Sequence, residues 1–190
     1  RECGAVMLVG HNEEKTIRVA KEVSQEASKC PPQTAKLAWS AIDIRNLSAV
    51  RSTVLLTVQH FGHLNIAVNS AGYAAPGLQI GDPSFPETFT DSMPMEINVR
   101  GTLNMMNAQL RYWIATDTPG VMVNIASIAG HEAYAAPPDY ITSKWAMIGF
   151  SKQAALQYAH SGIRINVVAP GAVKTPMLPQ SPQIDAITEA

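Results

Sequence analysis

Residues 124–175 read NIASIAGHEAYAAPPDYITSKWAMIGFSKQAALQYAHSGIRINVVAPGAVKT. An apolar run, residues 121–125, ends just inside this stretch, and Ser127 follows it closely. Tyr140 comes next, then Lys144 four residues later, and residues four apart on a helix project from the same face. An ammonium beside a phenol favours phenolate and lowers a pKa that is about 10 when unperturbed. The pair therefore makes a proton donor and acceptor, and Ser127 can hydrogen-bond the oxygen on which Tyr140 acts. The other tyrosines lack this partner: four residues beyond Tyr73, Tyr112, Tyr134 and Tyr158 stand Gly77, Thr116, Pro138 and Gly162. A surface couple with a snorkelling lysine would explain an isolated Tyr-x-x-x-Lys. It does not explain the apolar strand leading to a serine before it, or the strand leading to Pro170-Gly171 after it.

Outward from this stretch, short apolar runs alternate with helical patterns. Residues 5–9 (AVMLV) read as a buried strand by length and composition. Asn12 is placed to cap a helix whose first turn carries Glu13 and Glu14 and whose stripe is Ile17, Ala20, Val23 and Ala27. Cys30-Pro31-Pro32 stops it, and residues 36–42 form the next strand. A helix from about Asn46, striped by Val50, Val54, Val58 and Phe61, closes at Gly62. Residues 64–68 read as a strand and residues 73–87 as a long loop rich in Gly and Pro. Asp91 is placed to cap a helix running to about Ala115, with Pro94 tolerated in its first turn. Residues 121–125 form a strand, 140–160 a helix and 163–168 a strand. Strands apolar throughout and separated by helices predict an α/β fold: a parallel sheet covered by helices on both faces. Such sheets bind ligands at the carboxyl ends of their strands, where Asp43, Asn69, Ser127 and Pro170-Gly171 fall.

The 190 residues amount to a single domain with a real core. With 46% hydrophobic residues, 15% charged and a net charge of −1, there is no basic excess for nucleic acid or an anionic membrane. No apolar run is long enough to span a bilayer, and RECGAVMLVG is not read as a signal peptide. Cys3 and Cys30 give neither a metal spacing nor a disulfide framework. A reducing, cytoplasmic location is the expectation. Asn46-Leu47-Ser48 matches a glycosylation sequon, which means little without secretion. His131-Glu132 lacks a second ligand, because residue 135 is Ala, so no metal site is expected and the pair is read as active-site rim.

The strand leading to Ser127, the Tyr140-x-x-x-Lys144 helix and the strand before Pro170-Gly171 resemble the short-chain dehydrogenase/reductase family, over essentially the whole chain. The resemblance implies a Rossmann-like doubly wound parallel sheet and an NAD(P)-dependent oxidoreductase acting on a ketone or secondary alcohol. It places Asn98, in Ile97-Asn98-Val99-Arg100-Gly101, at the position of a helix asparagine that holds a water in the proton relay behind the lysine. Ser127, Tyr140 and Lys144 match the other catalytic positions, Ser127 orienting the substrate oxygen and Lys144 holding the cofactor ribose. Asp43 and the backbone of Ile44 match the adenine contact, and Asn69 the strand-end position that partners the sheet and the ribose. Val173 and Thr175 match the grip on the nicotinamide carboxamide and the adjacent phosphate. Ser70 and Ala126 depart from the family's usual Asn and Ser.

The resemblance also implies a single, incomplete domain over residues 1–190, truncated at both ends, without the Gly-rich turn and the central strand that precede the family's second strand. Two readings follow: an enzyme, or a shortened, non-catalytic relative serving as a structural or regulatory subunit. NADP is preferred over NAD because Gly10, followed by His11, stands where an acid would repel a 2′-phosphate. Helices 97–115 and 141–159 are apolar nearly all round, with Met105, Met106, Trp113, Trp145, Ile148 and Phe150, which predicts a homo-oligomer formed through them. Tyr134, Pro137, Met177 and Leu178 suggest an apolar wall and a small hydrophobic carbonyl or alcohol substrate.

Overall fold

The computed structural model describes residues 4–28, 36–74, 79–84, 88–133, 136–173 and 175. The stop at Cys30-Pro31-Pro32, Cys3, and the candidate wall residues Tyr134, Met177 and Leu178 lie outside these. Five strands alternate with four α-helices: β1 (Ala5–Gly10), α1 (Glu13–Ser28), β2 (Lys36–Ala41), α2 (Leu47–Phe61), β3 (Ile66–Asn69), α3 (Thr102–Thr116), β4 (Gly120–Ile125), α4 (Pro138–Tyr158) and β5 (Ile163–Val168). Every ladder is parallel, as the apolar strands require, and the architecture is Rossmann-like. Among the described residues the strands form two sheets, β1-β2 and β3-β4-β5, rather than one. β1 and β3 therefore each keep one unpaired edge, and the ends of both line a single cleft.

Local chemistry sets the helix ends. The Asn12 side chain accepts from the Lys15 amide at 2.9 Å, and Asn46 accepts from Ser48 and Ala49 at 3.0 and 3.1 Å, so the asparagine of the sequon serves as a cap. Two helix starts differ from the sequence reading. Asp91 does not cap the third helix: it ends a 3₁₀ turn, Phe89–Asp91, and a π-helical segment, Met95–Gly101, precedes α3. Pro94 has no N–H to give, and the widened turn sets Asn98 inward, where its side chain is fully buried and bonded. α4 begins two residues before Tyr140, with Pro138 at its first position, where a missing N–H costs nothing.

The core lies between β3-β4-β5 and helices α3 and α4. Ala67, Met122, Ile163 and Ile165 from the strands meet Met106, Leu110 and Trp113 from α3. The Trp113 indole is fully buried and donates to the Leu64 carbonyl at 2.7 Å. A polar ladder crosses this apolar layer. Asn69 and Gln109 exchange two amide bonds, of 3.1 and 2.9 Å, and Asn69 also donates to Asn124 at 2.9 Å. Asn124 in turn donates to Ser151 at 2.8 Å, whose hydroxyl donates to the Met147 carbonyl at 2.6 Å. The parallel register pairs Asn69 with Asn124 and puts both on the covered face. Ile66 and Val68, on the other face of β3, are 64% and 60% exposed. No helix among the described residues is long and apolar enough to cross a membrane.

Trp113→Phe keeps most of the packing and leaves the Leu64 carbonyl without its donor. A loss of roughly 1–3 kcal/mol is expected from urea unfolding, and an unchanged midpoint would show that this bond contributes nothing.

Candidate active site

The ends of β3 and β4, the π-helical segment that carries Asn98 and α4 meet around Lys144. Its side chain is 5% exposed, and Nζ donates to the carbonyl of Ile125, the last residue of β4, at 3.4 Å and contacts Met147 Sδ at 3.7 Å. Nζ sits 5.6 Å from the centroid of the Tyr140 ring, so the four-residue spacing brings the two together as read from the sequence. A methyl built on Gly72, just beyond β3, would lie 3.6 Å from both Lys144 Nζ and Asn98 Oδ1. Gly72, Asn98 and Lys144 thus meet around one point. Burial pushes the Lys144 ammonium down to about 8, because charge is disfavoured away from water.

Asn98 does more than the resemblance assigns it. Its Oδ1 accepts from the Tyr73 amide at 2.7 Å, and Nδ2 donates to the Tyr73 carbonyl and to Ser143 Oγ, both at 2.9 Å. Its side chain ties the loop after β3 to α4.

Ser127 is buried and follows β4 in extended conformation, where Oγ accepts from the Ala129 amide at 3.2 Å. A hydroxyl that accepts can still donate to a substrate oxygen. The Ser127 loop is held from two sides. The Ala126 and Ile128 amides donate to the carbonyls of Val168 and Pro170 at 2.8 and 2.9 Å, which brings Pro170 beside it. Gly130 packs so closely on α4 that an added Cβ would stand 2.7 Å from the Lys144 carbonyl oxygen.

The candidate cofactor residues divide into two groups. Asp43, Ile44 and Asn69 line a cleft of about 720 Å³, together with Val9, Gly10, Ala71 and Gly72. Ser127, Tyr140 and Lys144 are not among its lining residues, and neither are Val173 and Thr175, which are exposed after β5. The side chain of Asn69 is spent on Gln109 and Asn124. Asp43 grips Arg45, whose Nε donates at 3.0 and 2.9 Å and whose backbone amide donates at 2.9 Å. These bonds hold the Asp43 carboxyl below the usual carboxylate range. Asn104 donates to the carbonyls of Ile44 and Arg45 at 3.0 and 3.1 Å, fixing that loop to α3.

Sequence reasoning missed Arg45, Asn104, Gly130 and Ser143. Arg45 alone carried a local signal, as a cation two residues past Asp43.

Comparison with known proteins decides the family. The short chain dehydrogenase family model matches residues 2–185. The chain belongs to the short-chain dehydrogenase family. It is 38% identical, over 151 residues, to 2,5-dichloro-2,5-cyclohexadiene-1,4-diol dehydrogenase of Sphingobium indicum, a match covering 80% of this chain and 59% of the relative. Two similar solved structures carry different cofactors. NAD+-bound xylitol dehydrogenase has TM-score 0.75 and 29% identity, with 88% of this chain and 60% of that one covered. A variant of actinorhodin polyketide ketoreductase with NADPH has TM-score 0.76 and 26% identity, with 90% and 62% covered. The chain thus spans about three fifths of the length of these relatives.

Two outcomes test this geometry. Below about pH 8 both folded and unfolded chains hold the Lys144 proton, and burial of the ammonium opposes folding in full. Between about 8 and the ordinary lysine value of 10.5 the unfolded chain binds a proton that the folded chain lacks, so stability rises with pH. Lys144→Met should remove this part of the slope in urea unfolding followed against pH; an identical slope in the variant would refute the buried-lysine origin. Gly130→Ala should destabilise the chain by roughly 1–3 kcal/mol through overpacking, read by thermal unfolding.

Proposed function

We propose that the chain is an oxidoreductase that moves a hydride between a nicotinamide cofactor and a ketone or secondary alcohol. What carries this reading is the buried Lys144 ammonium set beside the Tyr140 ring. Burial of a lysine costs free energy, and here it places a cation against the one phenol in the chain that has a lysine four residues on.

The residues around Lys144 and around Asp43 suit the nicotinamide-ribose and adenine ends of a nicotinamide dinucleotide. Lys144 has three donor hydrogens, and its two contacts, at 3.4 and 3.7 Å, are long, leaving capacity for ribose hydroxyls. The adenine is assigned to the cleft lined by Asp43 and Ile44, where there is room for it and where Asp43 stands ionised and paired to Arg45. The bound cofactor would supply or accept the hydride. In reduction Tyr140 gives its proton to the substrate oxygen as the carbonyl becomes a hydroxyl, and in oxidation it takes that proton back. Ser127 donates to the same oxygen and fixes its direction. Lys144 favours the phenolate while it is charged, and Asn98 holds the Tyr73 loop against α4. Val173 and Thr175 are assigned to the nicotinamide end and Asn69 to the strand end beneath the ribose.

NADP is the proposed form. β1 ends on Gly10 and carries no carboxylate there, and a Cβ at that position would fall 2.2 Å from Thr16 Oγ1, so a side chain would require Thr16 to move. Beyond it, His11 and Lys15 line a small pocket at the start of α1. The substrate is proposed to be apolar, a reading supported by Pro137 and by a relative named for a ring diol. A homo-oligomer through helices 97–115 and 141–159 is proposed because Leu103, Ile114, Trp145 and Leu156 are 41–77% exposed on them. A cytoplasmic enzyme is the matching location.

Calorimetric titration with NADPH and NADH, beside a carbonyl-reduction assay, tests the reading. Tyr140→Phe should lower turnover roughly 10²–10⁴-fold, the range of general acid catalysis, with cofactor affinity retained. A folded chain that binds neither cofactor would end the proposal. Lys15→Glu should weaken NADPH binding about tenfold, equivalent to about 1.4 kcal/mol, and leave NADH within about twofold; an equal loss for both cofactors would remove the 2′-phosphate assignment.

A further inference from the structure

We propose that Ser143 is a positioning residue that couples the cleft wall at Tyr73 to the placement of Tyr140. The inference rests on the oxidoreductase reading, because Tyr140 is its end point.

Ser143 precedes Lys144 and is fully buried, as is Asn98. Its hydroxyl donates to the Tyr140 carbonyl at 2.7 Å. On its own that bond is the ordinary back-bonding of a helical serine. What distinguishes it is the bond arriving at the same oxygen from Asn98 Nδ2, 45 residues away, at 2.9 Å. The direction of every hydrogen in the chain of bonds is fixed. Asn98 Oδ1 faces the Tyr73 amide, so it is the acceptor, and Nδ2 has one hydrogen for the Tyr73 carbonyl and one for Ser143. The single hydroxyl hydrogen of Ser143 then goes to the Tyr140 carbonyl.

The elements joined are those the chemistry needs in step. Tyr73 lines the cleft, Asn98 sits in the π-helical segment Met95–Gly101, and Tyr140 stands in the first turn of α4. Widened π turns occur often at functional sites, and here the widening delivers the Asn98 amide to α4. A shift of the Tyr73 backbone is transmitted through two side chains to the carbonyl of the residue that transfers the proton. Ser143 acts through Tyr140 and is assigned no contact with substrate or cofactor.

The test compares wild type, Ser143→Ala, Asn98→Ala and the double variant by amide hydrogen exchange and by steady-state kinetics. In Ser143→Ala, exchange should rise about tenfold both in the first turn of α4 and at Tyr73. The value of kcat should fall about tenfold, with KM for the cofactor within about twofold, and the pH limb of Tyr140 should move. In the Asn98→Ala background the added loss should disappear, since both changes break one chain of bonds. If Ser143→Ala does not fold, Ser143→Cys keeps the volume, weakens the bond and is read in the same way.

An exchange increase confined to α4, additive losses in the double variant, or an unchanged kcat beside an inactive Tyr140→Phe would overturn the positioning role and leave the enzyme reading standing. A wild-type chain with no turnover would overturn the enzyme reading, and the positioning role with it.

Discussion

The reciprocal amide pair between Asn69 and Gln109, extended through Asn124 to Ser151, is the constraint on which the site depends. All four side chains are buried, and a polar group at such depth is tolerated only when its bonding capacity is met. Meeting it requires β3, β4, α3 and α4 to hold one register. A slip of one residue would turn Asn69 and Asn124 to the opposite face, leave Gln109 without its partner and leave Ser151 with only the Met147 carbonyl of its own helix. The ladder thereby fixes where β3 and β4 end. Those ends carry Gly72, the Ile125 carbonyl and Ser127, so the positions of the candidate site groups follow from a network of buried amides set beneath them.

Above that frame, Lys144 is held in a place that is electrostatically poor for it. One long carbonyl contact and a sulfur do not replace the hydration of an ammonium, and its proton is loosened accordingly. A lysine in this condition gains from any ligand that brings hydroxyl oxygens to it, so ligand binding and lysine protonation support each other. Tyr140 lies on the route of that coupling, beside the same ammonium.

The parts of the fold and site that were legible in the sequence were those carried by local rules. Asn12 and Asn46 were readable as caps because a short acceptor before an apolar period has one common use. Tyr140 and Lys144 were readable because a helix makes fourth neighbours adjacent. The start of the third helix was not, because Asn98 widens the backbone there in answer to Tyr73 and Ser143, partners 25 and 45 residues away. Ser143 and Gly130 were invisible for the same reason: a serine in a helix and a glycine in a loop carry no signal until the element packed against them is known. The division of the strands into two sheets was legible through the resemblance, which leaves a central strand unaccounted for, and not through pattern alone, since each strand reads as equally apolar whether or not both its edges are paired.

That division has a consequence for how the chain comes apart. β1, α1 and β2 contact one another closely, while their link to the remainder runs mainly through α2 on β2 and the Asn104 bonds to Ile44 and Arg45. No backbone ladder spans the boundary among the described residues. Cooperative melting depends on interfaces as dense as the units they join. Residues 5–41 are therefore expected to open at lower denaturant than the layer built on the buried amides.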